Sequence, residues 1–287
     1  MELPMDLTQA YQLSAVSVFI MMVGLWLYSL VTSDASIVDR FWGAGFVLIA
    51  WVLHLFVPTQ ESSAVRLTVL ALVSIWGLRL SLYIHFRNKG HGEDYRYAEM
   101  RNHHGPRFWW YSFLSVFTLQ GILMLIVATP VIFVMSSPEV GNLTNASVVG
   151  FVVWLVGFIF EAGGDWQLSS FKRDPANKGK LLRDGLWSLT RHPNYFGDAL
   201  QWWGLGLFAL PYGPLAPLTL IGPLVMTLFI RKVSGVDLLE KNLTKTKPGF
   251  EEYLKSTPAF LPNLRFWIVL AFACAAAVLF FVSFNAG

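Results

Sequence analysis

Runs of about 20 mostly apolar residues recur along the whole chain, and that length lets a helix cross the hydrocarbon core of a bilayer. They lie near 11–31, 40–58, 64–86, 112–135, 147–165, 194–211, 214–231 and 265–284. Helices satisfy their own backbone hydrogen bonds, as a segment in lipid must. The composition agrees. Only 14% of the residues are charged, against roughly 25% in a soluble domain, and mean hydropathy is +0.52. The expected fold class is all-α: a polytopic transmembrane helix bundle of about eight spans, forming a single integral membrane domain over 1–287. The first run is too long for the core of a signal peptide and is read as a span. The sixth and seventh runs are short and meet at "PYGPLAP", which predicts a tight helical hairpin.

Charge placement predicts the orientation. Segments 87–107, 172–191 and 231–265 hold five, six and seven Lys or Arg, eighteen of the 21 in the chain. With eight spans all three fall on one side, which the positive-inside rule makes cytoplasmic; the N-terminus is then outside. These clusters are read as topology and phosphate signals, and nucleic acid is not an expected partner. The single cysteine, Cys274, excludes an internal disulfide and a cysteine-based zinc site, and no metal site is expected.

Polar side chains inside a bilayer cost free energy, so they usually face a bundle interior or a wet cavity. The stretch "TRHPNYFGDALQWWG" opens an apolar run with several of them. Pro193 suits a first helical turn. Asn194, Asp198 and Gln201 then share one face, with Tyr195 beside it and Arg191 just before it. Two readings stand: a satisfied helix start with a snorkelling arginine, or the wall of a site at the cytoplasmic end of the bundle. Upstream, Lys172, Arg173, Lys178, Lys180, Arg183 and Arg191 form the kind of basic cluster that holds phosphates or carboxylates. Glu161 and Asp165, one turn apart, are placed to counter those charges or to bind hydroxyls. No phosphate-cradling glycine motif is present. In the first half, Trp76, Arg79 and Tyr83 share a helical face, "GHGEDYRYAEMR" adds Glu93 and Asp94, and "VDRFWG" opens the second span with Asp39 and Arg40. In the last basic segment, Asp237, Glu240, Tyr253 and Thr257 have helix-like spacing, as an interfacial helix or a lid would.

The stretch "RHPNYFGDALQWWG", with "SIVDRFWG", "WGLRLSLYIHFRNKGHGEDYRY", "SGVDLLEKNL" and "YLKSTPAFLP", resembles the DUF1295 family over most of the chain. That family is related to steroid 5-alpha-reductases and sterol reductases. Isoprenylcysteine carboxyl methyltransferases, which use S-adenosylmethionine, carry a similar Arg-His-Pro stretch. The resemblance implies a steroid 5-alpha-reductase-like membrane enzyme that uses NADPH to reduce a C=C bond in a lipophilic enone such as a steroid or isoprenoid. Its partners would be that small lipophilic substrate and the membrane lipid. The alternative is a methyltransferase of a prenylated or lipid substrate. Asp198 after "NYFG" matches the reductase pattern. The implied cofactor-binding residues are Lys172, Arg191, Asn194, Tyr195, Asp198, Asp237 and Tyr253, with Arg173 joining the phosphate ligands. The donor to the substrate carbonyl would be Tyr83, oriented by Asp39 or Glu93. The first four spans would then serve the substrate and the next three the cofactor.

Overall fold

The structure, a computed structural model, describes residues 6–57, 63–138, 140–233, 236, 240, 243–244, 247 and 249–286. Helices dominate, and no strand occurs among the described residues. The chain divides into two compact units, Met1–Asn142 and Leu143–Gly287.

In the first unit, α1 (Leu7–Thr32) begins at a capping box: Asp6 accepts from the Gln9 N–H at 2.8 Å, and the Gln9 side chain accepts from the Asp6 N–H at 3.0 Å. It stops where Ser33 turns left-handed at φ 54°. A single turn, α2 (Ile37–Arg40), leads into α3 (Trp42–Phe56), and α4 (Ala64–Asn88) returns alongside it. Gly43 faces Gly77, the Ala44 N–H reaches Ser81 Oγ at 2.9 Å, and Trp51 Nε1 reaches Ser74 Oγ at 3.0 Å. The partner numbers run in opposite order, so the pair is antiparallel. Small residues at the crossing let the backbones touch, which is how helices associate where lipid removes the hydrophobic drive. α5 (Tyr95–His104) follows as a helix where a polar loop was one reading, and a turn joins it to α6 (Phe108–Ser112). The fourth apolar run then continues through a π-helical turn, Phe113–Thr118, into α7 (Leu119–Val127) and breaks before α8 (Thr129–Ser136). Arg66, only 7% exposed, caps α8: its Nε and Nη2 donate to Val134 O at 3.3 Å and Ser137 O at 2.5 Å. Those carbonyls belong to a helix end and have no intrahelical donor.

In the second unit, α9 (Asn145–Arg173) and α10 (Pro193–Ala209) form the central pair. Gly150, Gly157 and Gly164 recur every seven residues on α9, and Gly197 and Gly204 do so on α10. Gly150 lies against Gly204, Gly157 against Gly197, and Gly164 against Pro193 and Asn194. The hairpin expected at "PYGPLAP" is present: α11 (Ile221–Leu228) returns against α10, and Trp203 Nε1 donates to Thr227 Oγ1 at 3.1 Å. The short α12 (Phe250–Ser256) precedes α13 (Leu264–Ala286), whose Phe272, Phe280 and Phe284 present apolar rings outward as a lipid-facing helix does.

Among the described residues five helical segments are long and apolar enough to cross a membrane: Leu7–Thr32, Ala64–Asn88, Tyr95–Val127, Asn145–Arg173 and Leu264–Asn285. The expected count of about eight is not reached on that measure. The second run folds as the 15-residue α3, the sixth as the 17-residue α10, and the seventh as α11 between a 3-10 turn and a π turn. Pro214, Pro217 and Pro223 in the seventh run explain its interruption, since proline lacks the N–H that a continuous helix needs.

Candidate functional site

The polar face read on α10 exists, and α9 answers it. The glycine contacts bring the two helices close enough for short side chains to meet. Gln201 Nε2 donates to Glu161 Oε2 at 2.6 Å, and Asn194 Nδ2 donates to Asp165 Oδ1 at 3.0 Å. Glu161, Asp165 and Gln201 are buried, while Asn194, Tyr195 and Asp198 are partly open. The sequence displayed both halves of these pairs, but only the structure joins them. α9 runs two turns beyond the predicted span end at 165, so Lys172 and Arg173 ride exposed on its last turn.

Beneath α10 lies an ionic knot. Arg191 is 8% exposed. Its Nε and Nη2 meet Glu240 Oε1 and Oε2 at 2.9 and 3.1 Å, while Nη1 donates to Leu254 O at 3.1 Å and to Thr257 O. His192 Nε2 reaches Glu240 Oε1 at 3.0 Å, and its ring stacks on Tyr195 at 5.7 Å. The backbone joins in: the Arg191 N–H donates to Pro258 O at 2.9 Å, and Thr190 Oγ1 donates to Phe260 O at 3.0 Å. Burial alone would raise the Glu240 carboxyl, but the bonds and charges of His192 and Arg191 outweigh it and hold the group at about 2. Tyr253 donates its hydroxyl to Trp187 O, and burial pushes its pKa up to about 12. Arg183 bonds Gly249 O and lies over the Tyr253 ring. The segment bearing Leu254–Phe260 is thus tied to the start of α10. Asp237 lies outside the described residues.

In the first unit, Asp39 accepts from Tyr97 Oη at 2.7 Å and from Arg96 Nη2 at 2.9 Å. Burial raises its carboxyl, with Arg96 and Tyr97 pulling the other way. Glu93 takes Arg101 Nε and Nη2 at 3.0 and 2.8 Å and accepts from the Ala35 N–H at 2.7 Å. Asp39 and Glu93 therefore fasten the turn around α2 to α5. Tyr83 lies between two guanidinium groups, Arg79 at 5.7 Å and Arg87 at 5.6 Å from its ring centre. Arg96 and Tyr97 stand in a stretch that reads equally well as an ordinary polar loop, and Arg101 was not singled out in it. His192 stood only as a motif letter and Glu240 only as one of the helix-spaced residues of the last basic segment, and their meeting spans 48 residues.

Apolar helices whose ionised groups gather at helix ends and at one buried helix pair define the class: this is a polytopic, all-helical integral membrane protein. Within that class the chain belongs to the family described as "Protein of unknown function (DUF1295)", which matches residues 25–257. The chain is 38% identical over 93 residues to a "Probable O-methyltransferase" of Ustilaginoidea virens, covering 31% of each chain. It is 32% identical over 127 residues to the Delta(14)-sterol reductase of Arabidopsis thaliana, covering 39% of this chain and 32% of that one. It is also 32% identical over 60 residues to the 3-oxo-5-alpha-steroid 4-dehydrogenase 1 of Mus musculus, covering 21% and 24%. The chain thus spans about a third or less of the length of these curated relatives. No solved structure matches it.

Proposed function

We propose that the protein is an NADPH-dependent reductase of a C=C bond in a lipophilic enone, with its basic segments and cofactor residues on the cytoplasmic side and its N-terminus outside. The observation that carries this reading is the partly open polar face of Asn194, Tyr195 and Asp198 on α10, in the same unit as the cationic end of α9. The likeness to a sterol reductase and a steroid dehydrogenase agrees with it. That donor set fits a dinucleotide phosphate. Lys172, Arg173 and Arg191 offer cations for phosphates, Asn194 offers an amide, and Asp198 offers an acceptor for ribose hydroxyls or the nicotinamide amide. Asp237 and Tyr253 complete the set.

When bound, a nicotinamide supplies the hydride. The chain's own tasks are to hold the enone, exclude water and donate a hydrogen bond to the carbonyl oxygen as charge gathers there. Tyr83 is assigned that donation. Arg79 and Arg87 stand over its ring, at 5.7 and 5.6 Å from the ring centre. Asp39 and Glu93 act at one remove, by fixing α5 through Arg96, Tyr97 and Arg101. The apolar outer faces of the bundle suit a substrate that arrives through the lipid.

One observation favours a second reading, a lipid methyltransferase using S-adenosylmethionine: the 38% identity to a protein named as an O-methyltransferase. Titrating the purified protein with each cofactor separates the two. Saturable NADPH binding with no S-adenosylmethionine binding supports the reductase; the reverse result removes it.

A further inference from the structure

We propose that Arg191 and His192 form an oxyanion receptor that Glu240 fills as an internal stand-in, and that a cofactor phosphate takes its place on binding. The inference rests on the dinucleotide reading above and adds a regulation of that site.

The guanidinium has two working edges with different partners. Nη1 is fixed to backbone by Leu254 O and Thr257 O. Nε and Nη2 present the two-pronged edge that matches a carboxylate or a phosphate equally well. Glu240 occupies that edge with both oxygens, at 2.9 and 3.1 Å. His192 Nε2 adds a third contact to the same carboxylate at 3.0 Å. The geometry around Glu240 is therefore that of an anion site: a fork plus an imidazole, converging on two oxygens. The receptor half is built into the fold. Arg191 and His192 are 8% and 5% exposed at the side chain, and the Arg191 backbone is itself tied to Pro258. The carboxylate is the more accessible partner, at 18%.

An internal ligand of this kind competes with an external one. Apparent affinity falls by the fraction of molecules whose receptor is open, and removing the internal anion restores it. Glu161 and Asp165 accept from amides across the α9–α10 contact, whereas Glu240 accepts with both oxygens from a guanidinium fork.

The test measures NADPH binding by wild type and Glu240→Gln, both purified in detergent and checked for monodispersity. Glutamine keeps the shape and one acceptor but removes the charge. The expected result is roughly tenfold or more tighter binding by Glu240→Gln, with inorganic pyrophosphate competing better against it than against wild type. Equal or weaker binding by a monodisperse variant overturns the stand-in. Failure of wild type itself to bind NADPH overturns the dinucleotide reading instead. A second measurement needs no variant: hydrogen exchange of wild type with and without saturating NADPH. Faster exchange in the peptide containing Glu240 on binding supports displacement; protection or no change there contradicts it.

Discussion

Placing a methyl group on Gly157 tests whether the glycine repeat is what builds the polar face. A Cβ there lies 2.7 Å from Gly197 O and 2.8 Å from both the Gln201 N and Cγ atoms. Ordinary contact begins near 3.4 Å, so α9 and α10 must part by roughly 0.7 Å, and two of the three obstructing atoms are backbone that no rotamer change can move. Overpacking of this kind costs about 1–3 kcal/mol. The intrinsic helical preference of alanine over glycine returns only about 0.5–1 kcal/mol. Gly157→Ala should therefore lower the melting temperature by a few degrees, at roughly 2–4 °C per kcal/mol for a chain of this size. The same displacement stretches the 2.6 Å Gln201–Glu161 bond to about 3.3 Å, so cofactor affinity should fall as well. Thermal unfolding in detergent, followed by tryptophan fluorescence, reads the first effect. Gly24→Ala is the control, because a Cβ at Gly24 on α1 meets nothing within 4 Å and should leave stability unchanged or slightly raised. A Gly157→Ala protein as stable as wild type, with intact cofactor binding, would refute the reasoning.

Three further outcomes follow from particular contacts. The Glu240 carboxyl is lowered from 4.5 to about 2 in the folded chain, so its contribution to stability is complete above about 4.5 and is lost as pH falls towards 2. Acid denaturation of Glu240→Gln should lack that component and begin from a lower stability at neutral pH. Arg66→Met takes the buried donor from Val134 O and the charged donor from Ser137 O, which keeps the Val140 N–H at 3.4 Å, and should cost about 1–3 kcal/mol, seen as a lower melting temperature with unchanged cofactor affinity. Tyr83→Phe should slow turnover of an enone substrate while sparing NADPH binding; full turnover would remove Tyr83 as the donor.

Much of the α10 site was legible because helical spacing alone puts Asn194, Asp198 and Gln201 on one face. Proline at the first helical position, the apolar run after it and the basic stretch before it fixed where that helix starts. The partners were harder to see. Glu161 and Asp165 sit about 30 to 40 residues upstream, and nothing local says which α10 amide each will meet; the seven-residue glycine spacing on both helices was the available signal. Arg191 was read as a phosphate ligand from its charge, but its guanidinium already serves Glu240 and two backbone carbonyls, which only the fold of the C-terminal segment supplies. In the first half, Asp39 and Glu93 were read as partners of Tyr83; that α5 also brings them Tyr97, Arg96 and Arg101 was not legible, because the contacts between Asp39 and α5 span nearly sixty residues. Apolar run length marked the neighbourhood of the five segments long enough to cross among the described residues, and it also counted three runs, the second, sixth and seventh, that fold as shorter helices, the last interrupted by prolines.

The affinity of the purified protein for NADPH, compared between wild type and Asp198→Ala, tests the central claim most directly. Asp198 sits one turn beyond Asn194 on α10, partly open, so its loss should weaken binding about tenfold or more while the melting temperature stays within a few degrees. Undiminished NADPH affinity in the variant, or a wild type that binds S-adenosylmethionine and ignores NADPH, would contradict the account.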